Sequence, residues 1–390
     1  MTAQVFITRQ PVVNSHGKII ATRLRLSFPP HGVPMRAAAE GLAALADVWP
    51  QGEKSVFISS AAPLSPELLE WEVPGNATLE IESGALAGDD ASLLDALKKR
   101  NLSLCLDFGD DAAQALACGL HFRFIGFDTR SYKPDQIKVL AAKTQSFGIP
   151  VAFNADTPDD FRACMDAGVS AASGWFFKKL LPPAGKTLNP SHAHIVRVLN
   201  LVRNNEDVGK IEAALKQDVA LSYKLLRYIN SVGFGLSCEI QSFKHAVTIL
   251  GYEKLNKWLS LLLVTASKDP MAPALMHTAL TRARFMESLG HGLVDKSEYD
   301  NLFITGAFSL LDHMLGMPMD QVLDAMHLPE PITDTLLGRG GLYGPFYDLA
   351  LACEEADGTA LIEQASLLGL SAAQINKTQF EALAFAEKME

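Results

Sequence analysis

The sequence predicts a two-part chain, α/β in its first half and all-α in its second. Three observations carry this. Short β-rich runs alternate with amphipathic helical segments through the first half, the stretch "LPPAGKTLNPSH" then interrupts the pattern, and beyond it only helical periods remain. At 390 residues, 48% hydrophobic and 20% charged, the chain is long and apolar enough for two or three packed domains.

The candidate strands, in order, are "QVFIT", "KIIATRLRLSF", "SVFIS", "ATLEIE", "LSLCLDF", "FRFIGFD", "IPVAFN" and a short "SAASGWF". Between most of them, helical spacing of apolar residues marks 34–48, 89–99, 111–118, 135–147 and 158–167, several opened by Asp, Ser or Pro. Alternation of this kind argues for a parallel sheet, and about eight strands is the number that closes a TIM-type (β/α) barrel. The double proline with the Gly and Asn after it places a boundary at 181–191, which gives domains at 1–184 and 185–390. Helical periods then run through 194–203, 206–216, 219–231, 243–250, 253–267, 274–290, 298–315, 319–326, 331–337, 345–356, 359–368 and 376–388. Asp218 and Ser242 stand where helices should start, and Gly251 where one should close.

Charge and composition exclude several classes. With 34 Lys and Arg against 44 Asp and Glu, the net charge of −10 argues against a nucleic-acid partner, because phosphate backbones need a surplus of cations on one face. The five cysteines form no C-x-x-C pair, so neither a zinc knuckle nor a disulfide framework is indicated. Free thiols in a reducing cytoplasm are the plain reading. The start, "MTAQVFITRQP", has no basic segment followed by an apolar run, so no secretory signal is expected. The most apolar segment, "WLSLLLVTA" from Trp258, is far shorter than the roughly 20 residues that span a bilayer, and reads as a buried helix.

In a parallel barrel the chemistry sits where the strands end, at the C-terminal face. Those ends supply Glu80 and Glu82 from "LEIE", Asp107 from "LCLD" and Asp128 from "FIGFD". Carboxylates gathered there could hold two divalent cations that clamp a phosphodiester and activate a water. The plainer alternative is that each carboxylate caps the helix after its strand, and Asp110 and Asp111 of "LCLDFGDD" read that way.

The order "FITRQPVVNSHGKIIATRLRLSF", "VFIS", "LEIE", "LCLDF", "FIGFD", "VAFNAD" and "SGWFFKK" resembles an EAL domain, the fold of bacterial cyclic di-GMP phosphodiesterases. It is similar to the variety that opens with F-I-A-R-Q-P-I and is followed by an HDOD domain. Carried over position by position, the resemblance implies an incomplete metal and catalytic set. The signature glutamate falls on Arg23, a fixed cation that ligates no metal, and the asparagine after the third strand falls near Ser59. Glu80 matches the family glutamate. Asp107 matches one of the paired aspartates and Phe108 stands for the other; the lysine falls on Gly126, with Asp128 in place after it. The two glutamates of A-E-K-V-E fall on Phe153 and Asp156, and a later glutamine falls on Ser173. "LCLDFGDD" thus reads as the remnant of a site, with no catalytic residue, no metal and no cofactor expected. A literal "EAL" at Glu381 to Leu383 lies in a helix of the second half and is coincidence.

The stretch "IEAALKQDVALSYKLLRYINSVGFGLSCEIQSFKHAVTILGYEKLNKWLSLLLV" resembles the core of an HDOD domain, a helical fold related to HD phosphohydrolases. Asp218, Leu221, Lys224, Leu225, Leu226, Asn230, Ser231, Ser242, Ala246, Leu250 and Gly251 fall on its pattern, with Val219 replacing a proline. No His-Asp dipeptide occurs anywhere, and His245, His277, His291, Asp312 and His313 are scattered over helices, so no HD-type metal site is expected. Lys224 and Arg227, on the polar side of their helix, are either solvated charge or part of a docking surface with the turn "NSVGFGLS". Asn230 suits the helix end or that turn.

The resemblance implies a cytoplasmic bacterial regulator of behaviours such as motility, biofilm or virulence. The leading expectation is a protein that is not an enzyme and acts through contacts with other signalling proteins, with no nucleic acid and no membrane. A second reading keeps cyclic di-GMP as a ligand bound without hydrolysis. A third is residual phosphodiesterase activity through Glu80, Asp107 and Asp128. A homodimer is an expectation of the family alone.

Overall fold

The computed structural model describes residues 5–28, 35–52, 54–87, 92–179, 190–217, 243–265, 271–355 and 358–389. Eight strands, β1 (Phe6–Asn14), β2 (Ile19–Ser27), β3 (Ser55–Ser60), β4 (Ala77–Glu82), β5 (Ser103–Asp107), β6 (Phe124–Asp128), β7 (Ile149–Phe153) and β8 (Ala171–Ser173), close a barrel in chain order. Strands β2 to β8 run parallel, as the alternating pattern predicts. The expectation of a parallel sheet is corrected at β1, which is antiparallel to both β2 and β8. The reason is the connection. Asn14 N donates to Lys18 O at 3.0 Å, and Asn14 Oδ1 accepts from the amides of His16 and Lys18, which makes a tight turn. A parallel crossover needs a dozen or more residues.

Helices α1 (Met35–Ala43), α2 (Ser83–Ala87), α3 (Ser92–Lys98), α4 (Ala112–Leu116), α5 (Pro134–Thr144) and α6 (Pro158–Asp166) lie between the strands. Helix α6 illustrates why such segments form. Thr157 Oγ1 accepts from Asp160 N at 3.1 Å, Pro158 opens the first turn, two aspartates meet the positive helix end, and Phe161 and Cys164 are buried. Asp111 does precede α4, but its side chain makes no capping bond.

Inward-pointing residues recur every second position along each strand, so they stack in layers. Val12, Ala21, Phe57, Cys105, Val151, Phe153 and Ala171 form an apolar cluster, with Phe124 packed against it. Burial of this layer fills the barrel and leaves the next residues along the strands to make its mouth.

By packing, the chain separates into two units, Met1–Leu180 with Asp348–Ala384, and Leu181–Tyr347 with Phe385–Glu390. The late segment has a definite role in the first unit. β8 pairs with β1 only at Val12, Val13 and Asn14, so the earlier part of β1 lacks a neighbouring strand on that side. Residues near the C-terminus supply the missing partners. Arg9 N donates to Cys353 O at 2.8 Å, Ile7 N to Asn376 Oδ1 at 3.1 Å, and Gln379 Nε2 to Ile7 O at 2.9 Å. Arg9 also pairs with Glu354 at 3.3 Å, with both side chains buried, and Lys178 reaches the other carboxylate oxygen at 2.6 Å.

Among the described residues the remaining helices are α7 (Pro190–Arg203), α8 (Val208–Leu215), α9 (Phe243–Thr265), α10 (Ala272–Gly290), α11 (Tyr299–Phe308), α12 (Leu311–Leu315), α13 (Met319–Asp324), α14 (Glu330–Leu336), α15 (Gly344–Ala352), α16 (Thr359–Leu368) and α17 (Ala372–Met389). Gly251 breaks α9 with φ 75°, as its place in the sequence predicts, because only glycine takes that conformation at no steric cost. The run from Trp258 to Val264 is buried throughout, and no helix among the described residues is long and apolar enough to cross a membrane. Asp218, Lys224, Arg227, Asn230, Ser231 and Ser242 lie outside the described residues.

Candidate functional site

One step beyond the apolar layer, the strands carry charge. Arg23 on β2 and Glu80 on β4 are both buried, at 7% and 6% exposure, and they face each other. Arg23 Nε donates to both Glu80 oxygens at 2.8 and 3.1 Å, and Nη2 donates to Oε2 at 2.7 Å. The guanidinium rests on the Phe153 ring, 4.1 Å from its centroid, which adds a cation–π contact. Burial works against the charge, yet the Glu80 carboxylate outweighs it, and Arg23 is held even more firmly protonated than usual.

Asn154, immediately after β7, extends this pair into a network. Its Oδ1 accepts from Arg23 Nη1 at 3.3 Å and its Nδ2 donates to Asp128 Oδ2 at 3.0 Å. Asp128 in turn receives Arg130, with Nε–Oδ1 at 3.1 Å and Nη2–Oδ2 at 2.7 Å. Burial would raise the Asp128 pKa, but the bonds from Arg130 and Asn154 prevail and lower it. Asn154 has φ 59°, the left-handed region that non-glycine residues seldom occupy, and it is buried there. Its amide donates to Ser173 Oγ at 3.4 Å, and its carbonyl accepts from Thr129 Oγ1 at 2.7 Å.

Beside the network opens a small cleft of about 70 Å³, lined among others by Arg23, Arg25, Ser59, Glu80, Glu82 and Asp107. Asp107 is pushed up to about 7 by burial and by the neighbouring Glu80. Arg25 shares the inward face of β2 with Arg23, and its Nε is shielded from solvent with no hydrogen-bond partner. Burial, Arg23 and Arg130 all lower its affinity for the proton.

Among the residues read from the sequence, Arg23, Glu80, Asp107, Asp128, Gly126 and Phe153 do come together at the mouth. Ser59 lines the cleft and donates to Leu24 O at 3.3 Å, and Ser173 supports Asn154. Asp156 is half-buried, and its charge adds a little to the Asp128 hydrogen bond in holding the Arg130 proton more firmly. Phe108 departs from the rest, with its ring against Phe127 and Tyr132 at 5.3 and 5.9 Å. Sequence reading missed Asn154, Arg25 and Arg130. Only Arg25, a second inward cation two residues after Arg23, left a signal that could have found it.

The two-cation site implied by the resemblance does not fit this donor set. Both Glu80 oxygens accept from Arg23, and both Asp128 oxygens accept from Arg130. Among the described residues no three of His, Cys, Asp and Glu form a group able to hold a metal ion. In the helical unit, His313 Nδ1 lies 2.7 Å from Asp312 Oδ1.

Residues 188–314 match the model of the HDOD domain. Cyclic di-GMP phosphodiesterase CdgJ of Vibrio cholerae is 28% identical over 233 residues, which cover 60% of this chain and 54% of that protein. The protein YuxH of Bacillus subtilis, of uncharacterized function, is 22% identical over 208 residues, covering 52% and 51%. The chain therefore spans about half the length of the curated relatives it matches. Among solved structures, the EAL domain of Mycobacterium smegmatis DcpA is similar, with a TM-score of 0.33 and 15% identity, over 44% of this chain and 90% of that one.

CdgJ corrects one expectation. The incomplete ligand set led to the conclusion that the chain is not an enzyme, whereas this curated relative is named a phosphodiesterase and points to enzyme activity. Matching ligands one at a time to a pattern ignores how neighbouring residues compensate for each other, and so it was too narrow a basis. The chain contains an HDOD domain at residues 188–314 and is related to proteins of cyclic di-GMP signalling.

Proposed function

We propose that this chain works in cyclic di-GMP signalling and that the mouth of its barrel binds the dinucleotide. The observation that carries the reading is Arg25, a cation on the cleft wall whose buried Nε has no acceptor. A buried donor left unsatisfied costs about 1–3 kcal/mol, and a phosphate oxygen would remove that cost. The EAL-like order of the strands and the name of CdgJ support the choice of ligand. The HDOD helices are read as carrying contacts to other signalling proteins, a role that rests on the sequence resemblance.

Calorimetric titration of the full-length protein with cyclic di-GMP tests the binding, and absence of heat at high protein concentration would end it. A second reading, favoured by CdgJ, is that bound dinucleotide is also cleaved. Chromatography of the nucleotide recovered from the same titration decides that point, since cleavage leaves a linear product.

A further inference from the structure

Position 23 is where the family pattern has an anionic metal ligand, and the structure has a guanidinium there, locked to Glu80. The carboxylate is already neutralised, in a place too dry for an unpaired charge. A divalent cation at Glu80 would have to displace Arg23 and leave that guanidinium buried without its partner. Asp128 is likewise neutralised by Arg130. With these two pairs closed, Arg25 is, among the described residues that line the cleft, the cation with bonding capacity left over.

Resting on the functional reading above, we propose that the mouth recognises a phosphodiester through Arg25 without a divalent cation, and that Arg23 supplies to Glu80 the positive charge a metal would otherwise bring. The chemistry is consistent. A guanidinium presents parallel N–H groups that match two phosphate oxygens, so the two Nη groups of Arg25 can donate together. Lysine at the same place offers a point charge without the fork. Asn154 belongs to the same arrangement as a positioning residue, since it ties Arg23 to Asp128 and so keeps both closed pairs in register.

The test is calorimetry of the full-length wild-type protein with cyclic di-GMP, once in EDTA and once in magnesium. The dissociation constant is expected to agree within about twofold between the two buffers. Arg25→Ala should weaken binding at least tenfold, with Arg25→Lys in between, and thermal melts of each variant establish that it is folded. Binding that appears only with magnesium overturns this inference and leaves the functional reading standing, as does unchanged affinity in folded Arg25→Ala. Heat in neither buffer overturns both. The buffer comparison needs no variant, so a misfolded substitution does not blunt it.

Discussion

The ring of Phe153 fills the space where a side chain at position 126 would begin: a β-carbon built on Gly126 would lie 2.2 Å from Cε2 of Phe153. The two positions on which the sequence resemblance would put a lysine and a glutamate are therefore matched as a pair. One gives room and the other takes it. The same ring supports Arg23 from below, so three apparent departures from the pattern form a single packed arrangement.

This pairing predicts a coupling. Gly126→Ala should destabilise the protein by about 1–3 kcal/mol through overpacking, and cost little in a Phe153→Ala background. Urea unfolding of the double-mutant cycle measures the difference. A coupling energy below roughly 0.5 kcal/mol would contradict the ring placement.

Removing one member of the buried ion pair should be severe. Arg23→Met leaves the Glu80 carboxylate buried without its counter-charge, with an expected loss of about 3–5 kcal/mol. Combining it with Glu80→Leu should recover most of that loss, because the apolar pair needs no solvation. If the single and double variants melt alike, the pair is not the structural element described here.

Asp107 gives the stability a pH dependence of known sign. Its carboxyl is raised from 3.8 to about 7 in the folded protein, so its favourable contribution is complete below about pH 4 and is lost as pH rises through 7. Asp107→Asn removes the charge that burial opposes. The variant should be more stable than wild type at pH 8, by an amount on the order of 2–4 kcal/mol in urea unfolding, and lose that advantage by pH 4. A difference independent of pH would mean that Asp107 ionises normally.

Asn376 should matter to the barrel although it lies near the end of the chain. Its side chain accepts from Ile7 N at 3.1 Å and donates to Val5 O at 2.7 Å. Asn376→Leu leaves two buried backbone groups without partners, at an expected cost of about 2–4 kcal/mol. Hydrogen exchange should show faster exchange at the Ile7 amide, with the amides of α10 unchanged. Equal protection of Ile7 in both proteins would exclude the contact.

Much of the barrel was legible because its strands are dense in β-branched and aromatic residues and its helices carry apolar residues at helical spacing. β1 was read short. Pro11 interrupts the β-rich run, yet its missing amide is tolerated where the strand pairs with Thr22. The position-by-position comparison did find the residues at the mouth, because inward residues repeat with the period of the strand. It could not find Asn154, since a left-handed asparagine reads like any loop residue, nor Arg130, which lies beyond its strand. The seam between β1 and the C-terminal segment was invisible for a different reason. Its partners are up to 372 positions apart, and no local period encodes such a contact.

That seam also has a consequence in time. Ile7 is synthesised well before Gln379, with 372 positions between them. At roughly 5–20 residues per second, the interval is about 20–70 seconds. Throughout it, one edge of the first strand has unanswered amides and carbonyls, the kind of edge that other chains can join. The barrel is begun long before it can be closed along this seam, and the nascent chain must be kept apart from its neighbours until α17 is released.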